Sequence, residues 1–284
     1  MKEKSVFIIL LNYKGYEDTT ACINSLRKVS YQNYHIIVVD NCSGDGSYER
    51  LKEENPDCIV KLAEKNNGFS AGNNIGIRYA MNHGADYIML LNNDTEVKPD
   101  FLEKMVNVAD DNIVVTPSIY FYSEPNEIWY ADGRINYSRC TVSNGNDKES
   151  KYCNYASGCC LLMPRKVIEK VGYWAEEYFM YYEDMDYTIR ILQNGFKIFY
   201  NKDAVVYHKV GRTAGRKSEL SIYYNVRNRL YIIKKFGFSK RCLFFTLFSR
   251  MIRYIEGCLK RSNEKVIMQA IKDYYLGRMN IKKF

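Results

Sequence analysis

The chain has 284 residues, 46% of them apolar, which is enough to fill one sizeable α/β core and excludes a disordered or fibrous protein. Its formal charge of +8 is unevenly spread: residues 1–220 carry 26 Lys or Arg against 30 Asp or Glu, net −4, and residues 221–284 carry 15 against 3, net +12. A basic segment interleaved with aromatics suits anionic lipid, a phosphorylated substrate or nucleic acid, and charge by itself does not separate them.

The nine cysteines are odd in number and scattered, with Cys159 and Cys160 adjacent, and no C-x-x-C pair with matching histidines. Reduced, mostly buried thiols are expected rather than a zinc site or a disulfide framework. Met1-Lys2-Glu3-Lys4 leads straight into a strand, so no secretory signal is expected, and a reducing cytoplasm fits both facts. The most apolar tail segment, 242–248, meets Arg250 and Arg253 well before the roughly 20 apolar residues that a membrane span needs.

In chain order, Val6 to Tyr13 reads as a buried strand, and residues 17–29 as a helix with apolar spacing at Ala21, Cys22, Leu26 and Val29. Tyr34 to Asp40 is a second strand, Cys58 to Ala63 a shorter one, Ser70 to His83 a helix, and Tyr87 to Leu91 another buried strand. This is the βαβ pattern of a parallel, doubly wound sheet. The main strands end in Asn12, Asp40 and Asp94, so polar groups converge on one sheet edge, where ligands of such folds collect. The apolar run ending in Asn92-Asn93-Asp94-Thr95 is the sharpest signal. The same residues also serve an ordinary strand-to-helix turn, with Thr95 to Pro99 opening a helix, and both readings stand at this point.

From Asn112 to Arg165 the pattern loosens into short strands and turns. A helix is expected from Glu183 to Asn194, stopped by Gly195, followed by short strands at Phe196–Tyr200 and Ala204–His208. Beyond Glu219 two amphipathic helical stretches are expected, 223–236 and 238–260. Glu183, Asp184 and Asp186 crowd around a helix start among aromatics. Dipole partnering and an i,i+4 pair from Asp186 to Arg190 account for them, and so does a carboxylate with a raised pKa acting as a base. Gly44-Asp45-Gly46 and the turn Asn67 to Asn74 match neither a dinucleotide fingerprint nor a P-loop.

Taken together, these segments resemble the family 2 glycosyltransferases of the GT-A fold, in the branch of bacterial rhamnosyltransferases and polysaccharide-building enzymes. The resemblance is carried, in order, by 9–13, by Val38 to Ser47 around Asp40-Asn41, and by Asn66 to Gly76. It continues through Leu90 to Thr95, Ser157 to Leu162, and Phe179 to Asp186 with Arg190 and Gly195. It implies an α/β, Rossmann-like nucleotide-sugar-binding sheet with helices on both faces over residues 1–218, and a basic helical C-terminal region over 219–284.

The same resemblance implies an inverting transferase moving a hexosyl or rhamnosyl group from a UDP- or dTDP-linked donor to a glycan or polyprenyl-linked hydroxyl. Asp184 corresponds to the general base. Asn12, Asp40, Asn67, Gly68, Asn73, Asn92 and Asn93 fall on the donor side, with Asp40 at the nucleotide base. Asp94 corresponds to the last acid of the Asp-x-Asp motif that holds Mn²⁺ or Mg²⁺, and His208 to a histidine completing that site. Asn92 stands where many relatives carry the first acid, which lowers the negative charge there. Glu183, Asp186, Trp174 and Arg212 are expected to support the acceptor side, and Lys209 to Lys217 corresponds to a loop closing over the donor. The +12 tail is expected on the anionic inner face of the cell membrane, or in a homodimer contact. A sugar nucleotidyltransferase and a nucleic-acid-binding protein are the other classes. Only Lys14 follows Asn12 where the former needs a basic triphosphate loop, and the latter leaves the acids at 183–186 unexplained.

Overall fold

The computed structural model describes residues 3–210, 218–260 and 262–279. Its first part alternates β1 (Val6–Asn12), α1 (Tyr16–Leu26), β2 (Tyr34–Asp40), α2 (Ser47–Glu54), β3 (Ile59–Leu62), α3 (Phe69–Asn82) and β4 (Tyr87–Asn92). The order β3-β2-β1-β4 is parallel throughout. Strand β1 shows why its sequence is continuously apolar. Ile8 and Leu10 pack with Cys22 and Leu26 of α1 on one face, and Phe7 and Ile9 pack with Ile77 and Ala80 of α3 on the other. Helix α2 has no counterpart among the expected elements: it buries only Ser47 and Leu51, too sparse a set to show a period.

Beyond β4 the sheet is mixed. Strand β5 (Thr95–Val97) and helix α4 (Phe101–Asn107) precede the long β6 (Ile113–Phe121), and short strands β7 (Ile128–Tyr130), β8 (Arg134–Asn136), β9 (Thr141–Ser143) and β10 (Lys151–Cys153) follow. Then β11 (Cys160–Pro164) inserts antiparallel between β4 and β6. After α5 (Arg165–Val171) and α6 (Glu183–Gln193), β12 (Lys197–His208) runs parallel to β6. The two strands expected here are one, because a bulge between Asn201 and Val205 absorbs the polar Lys202 and Asp203. Gly195 ends α6 at φ +80°, the left-handed conformation expected of it.

Of the two readings of this turn, the helix opening at Thr95 does not form: Thr95–Val97 is β5, which lies antiparallel to the end of β12 with Thr95 opposite His208. Pairing across the sheet outweighs the local turn chemistry, and the helix waits until after Pro99.

The tail forms α7 (Glu219–Lys235), α8 (Lys240–Lys260) and α9 (Val266–Tyr275). Ile232 and Ile233 of α7 join the same core cluster as Ile8 and Leu10, and Tyr223, Tyr224 and Leu230 pack with Ile267 and Ala270 of α9. Among the described residues no helix is long and apolar enough to cross a membrane, and all nine cysteines are free thiols.

Candidate active site

The ends of β1 and β2 meet in a closed network. Asp40 Oδ2 accepts Asn12 Nδ2 at 2.6 Å and Ser43 Oγ at 2.8 Å, while its Oδ1 accepts the Ser43 N–H at 2.8 Å. Asn12 Oδ1 in turn accepts the Gly15 N–H and the Thr19 hydroxyl. Neither Asn12 nor Asp40 has exposed surface. These bonds of Asp40 shape the 41–43 turn. Beside that turn a pocket of about 280 Å³ is lined by Asn41, Ala63, Lys65, Asn67, Gly72 and Glu176, among others. Gly68, at φ +91°, shapes its rim: a Cβ there would lie 2.1 Å from the Phe179 carbonyl oxygen, which accepts the Phe69 N–H at 2.8 Å. Asn73 is buried and its amide caps the Phe69 carbonyl.

At the end of β4, Asp94 Oδ1 stands 3.1 Å from His208 Nε2, brought there by the β5–β12 pairing. Both side chains are largely buried, and Trp129 meets the imidazole edge-on at 4.7 Å. Burial opposes a charge on His208, but the Cys159 sulfur and the Asp94 carboxylate more than offset it and raise its pKa to about 10. His208 Nδ1 has no hydrogen-bond partner. Among the described residues no cluster of three or more His, Cys, Asp or Glu stands ready for a metal. A carboxylate beside an imidazole is nonetheless a donor set that suits Mn²⁺ or Mg²⁺ once diphosphate oxygens complete it. Asn92 and Asn93 flank Asp94 and are partly exposed, with Asn93 Nδ2 donating to Thr19 Oγ1.

Across a short loop stands Asp184. Its Oδ2 accepts the Tyr155 hydroxyl at 2.5 Å and lies 3.4 Å from the Gly158 N–H, and its Oδ1 accepts the Met185 N–H at 2.8 Å. Burial raises the pKa of Asp184 against these three donors. Burial and the Asp184 charge push Glu183 well above the usual carboxylate range, and Glu183 Oε2 is buried without a partner. Of two adjacent acids, Glu183 is pushed further towards its protonated form, while three donors oppose that rise at Asp184. Gly158 touches Asp184 while the next residue, Cys159, lies beside His208 and Asp94. One loop thus joins the acid pair to the Asp94–His208 pair.

Asp186 does not face this space. It is fully buried, with Arg190 Nε at 2.7 Å, Lys235 Nζ at 2.6 Å and the Tyr178 hydroxyl at 3.0 Å. Trp174 is buried too, stacked on Tyr187 and edge-on to Phe69. Arg212 and the rest of 211–217 lie outside the described residues.

The turn carrying Asp184 is strained and held by the tail. Tyr181 and Tyr182 both adopt positive φ, +66° and +73°, which non-glycine residues rarely do. Asn228 of α7, fully buried, donates to the carbonyls of Met180 at 2.8 Å and Tyr181 at 2.9 Å.

Residues 5–172 match the family described as glycosyl transferase family 2, more than half of the chain. The chain belongs to this family. Among its relatives, the low-salt glycan biosynthesis hexosyltransferase Agl10 of Haloferax volcanii is 26% identical over 78% of this chain and 73% of its own length. The dTDP-rhamnosyl transferase RfbF of Shigella flexneri is 23% identical over 81% of this chain and 80% of its own. The fold is shared with GalNAc-T7 solved with UDP, GalNAc and Mn²⁺, at TM-score 0.66 and 17% identity, covering 80% of this chain and 47% of that one. It is also shared with S. aureus TarS 1–349 in complex with UDP, at TM-score 0.56 and 16% identity, covering 81% and 65%. The mixed GT-A sheet is common to them.

Sequence reasoning missed Tyr155, Cys159 as a neighbour of His208, and Asn228. Tyr155 sits two residues before the Ser157-Gly158 motif, which is a usable signal. Nothing in the sequence around Asn228 marks it as a partner of residues nearly fifty positions earlier.

Proposed function

We propose that this family 2 glycosyl transferase is inverting, taking a sugar from a UDP- or dTDP-linked donor and giving it to a hydroxyl of a glycan or lipid-linked glycan in surface-polysaccharide synthesis. The observation that carries this reading is Asp184: a carboxylate pinned by Tyr155, one loop away from Asp94 and His208. The acceptor O–H gives its proton to Asp184 as its oxygen bonds to the anomeric carbon, and the bond from that carbon to the diphosphate oxygen breaks. Attack and departure on opposite faces invert the anomeric centre. The Tyr155 hydroxyl, whose own pKa burial and the Asp184 charge push well up, stays protonated and fixes the carboxylate's direction.

Asp94 and His208 would hold Mn²⁺ or Mg²⁺, which when bound neutralises charge gathering on the leaving diphosphate. The pocket at Asn41, Asn67 and Gly72 takes the nucleoside, with Asn12, Asp40, Gly68 and Asn73 holding its walls and Asn92 and Asn93 lying towards the diphosphate. The basic tail rests against an anionic membrane surface, a position that about 1 kcal/mol per nearby Lys or Arg makes ample.

The test is a thermal-shift panel of UDP-, dTDP- and GDP-sugars with and without Mn²⁺, followed by Asp184→Asn with the donor that stabilises. Transfer falls by about 10² to 10⁴ while the shift survives. Wild-type turnover in that variant would remove the base assignment, and no shift with any sugar nucleotide would remove the whole reading.

A further inference from the structure

Asn74, in the second turn of α3, has no exposed surface, and its side-chain bonds run to one segment a hundred positions away. The amide closes on the peptide of Trp174 from both ends: Oδ1 accepts the Trp174 N–H at 3.0 Å, and Nδ2 donates to the Trp174 carbonyl at 2.9 Å. Nδ2 also donates to Glu176 Oε1 at 2.8 Å, and the same oxygen accepts Arg78 Nη2 at 2.9 Å. A buried amide is costly to leave unpaired, so one that spends both ends on a single residue holds that residue in a single register.

The segment that Asn74 grips joins two parts of the site. On one side, Glu176 and Arg78 line the pocket at Asn41, Asn67 and Gly72, and the Phe179 carbonyl accepts the Phe69 N–H at the head of α3. On the other side the segment is bonded to α6, the helix that begins with Glu183 and Asp184. Arg190 donates to the carbonyls of Val171 at 2.9 Å and Tyr173 at 3.0 Å, and the Tyr187 hydroxyl donates to the Gly172 carbonyl at 3.0 Å. The Trp174 ring stacks on Tyr187 with centroids 4.8 Å apart. Pocket wall, gripped segment and α6 form one bonded chain, and Asn74 is its buried joint.

We propose that Asn74 is a positioning residue that couples the nucleotide pocket to α6, so that a filled pocket steadies the turn carrying Asp184. This rests on the glycosyl-transfer reading and adds to it how donor occupancy reaches the base. A nucleotide held against Glu176 and Arg78 suppresses openings of the segment that forms this wall. Because Trp174 is locked to Asn74 and stacked on Tyr187, those openings include the start of α6. Without the Asn74 amide the pocket keeps its other walls, and the start of α6 opens independently of it.

The test is amide hydrogen exchange of the full chain, read in peptides covering 62–73 and 178–187, with and without UDP and Mn²⁺, or dTDP where that nucleotide gives the larger thermal shift. At about 100 times Kd, an opening that destroys the pocket becomes about 100-fold rarer. In the wild-type chain both peptides slow together, by about that factor. In Asn74→Ala the 62–73 peptide still slows with nucleotide and the 178–187 peptide does not. Asn74→Asp keeps the volume and the bond from the Trp174 N–H but loses both Nδ2 donations, and it gives the same result where the alanine variant does not fold. A merely structural Asn74 would speed exchange with and without nucleotide alike and leave the nucleotide-dependent slowing of 178–187 in place, which overturns the proposal. The wild-type comparison overturns it unaided if slowing is confined to 62–73. That outcome defeats this inference alone, whereas no thermal shift and no slowing with either nucleotide defeats the transferase reading beneath it.

Discussion

Asn228→Ala tests whether the tail holds the turn that carries Asp184 in place. The side-chain amide makes two bonds, to the carbonyls of Met180 at 2.8 Å and Tyr181 at 2.9 Å. An abandoned buried carbonyl costs about 1–3 kcal/mol, so a turn that stayed rigid with two of them would lose roughly 2–6 kcal/mol. The turn has an alternative. Tyr181 and Tyr182 each store on the order of 1 kcal/mol or more in their positive φ angles, and relaxing both recovers about 2 kcal/mol. Relaxation is the cheaper course, and it carries Asp184 away from Tyr155. We expect urea unfolding to show a loss of about 2 kcal/mol or less. Turnover, followed by release of nucleoside diphosphate, falls about 10²-fold, as a misplacement of about 1 Å can cost. Sugar-nucleotide binding, read by thermal shift, is unchanged. A loss near 4 kcal/mol with wild-type turnover would refute the reasoning, since the turn would then keep its shape without Asn228.

Other outcomes follow from the same geometry. Gly68→Ala places a Cβ against the Phe179 carbonyl at a strained φ and lowers stability by about 3 kcal/mol or more, measurable by calorimetry; a near-neutral change would show that the turn can shift. Glu183 has a raised folded pKa, so the folded state binds more protons than the unfolded one and stability falls as pH rises above about 4.3. Glu183→Gln therefore raises the melting temperature at pH 8 and not at pH 4, and equal shifts at both would exclude this origin. Asp184 must be ionised to act, so kcat/KM falls on acidification with a limb above the ordinary carboxylate value of about 4. A limb at or below that value would contradict the burial. EDTA abolishes transfer and Mn²⁺ restores it, and His208→Ala weakens Mn²⁺ binding by titration calorimetry; unchanged affinity would remove His208 from the metal site.

Much of the donor half was legible because its strands are buried on both faces and their ends are abruptly polar: β2 has the bounds the sequence suggests, and β4 ends one residue later. Helix α6 was legible from its acids and from Gly195. What failed to show was long-range. Thr95 to Val97 carries turn residues, yet it pairs with β12, a partner more than a hundred positions away. The antiparallel entry of β11 depends on how the 112–165 segment folds back, and no period in those residues encodes it. Asp40 reads as a strand-end ligand, and the bonds that Asn12 and Ser43 donate to it are invisible until registers are known. The burial of Arg227 and Asn228 in a strongly basic tail runs against what their residue types suggest.

The grip of α7 on the 180–182 turn also fixes when the enzyme can work. The segment that matches the family ends at residue 172, before Asp184, and the amide that steadies the Asp184 turn is made only at position 228. A chain still being synthesised completes the sheet and the pocket at Asn41 and Asn67 while Asp184 stands on a turn that α7 does not yet hold. On the proposed reading a nascent chain becomes a transferase only when α7 has emerged and docked, so commitment of sugar waits for a helix that lies beyond the segment matching the family.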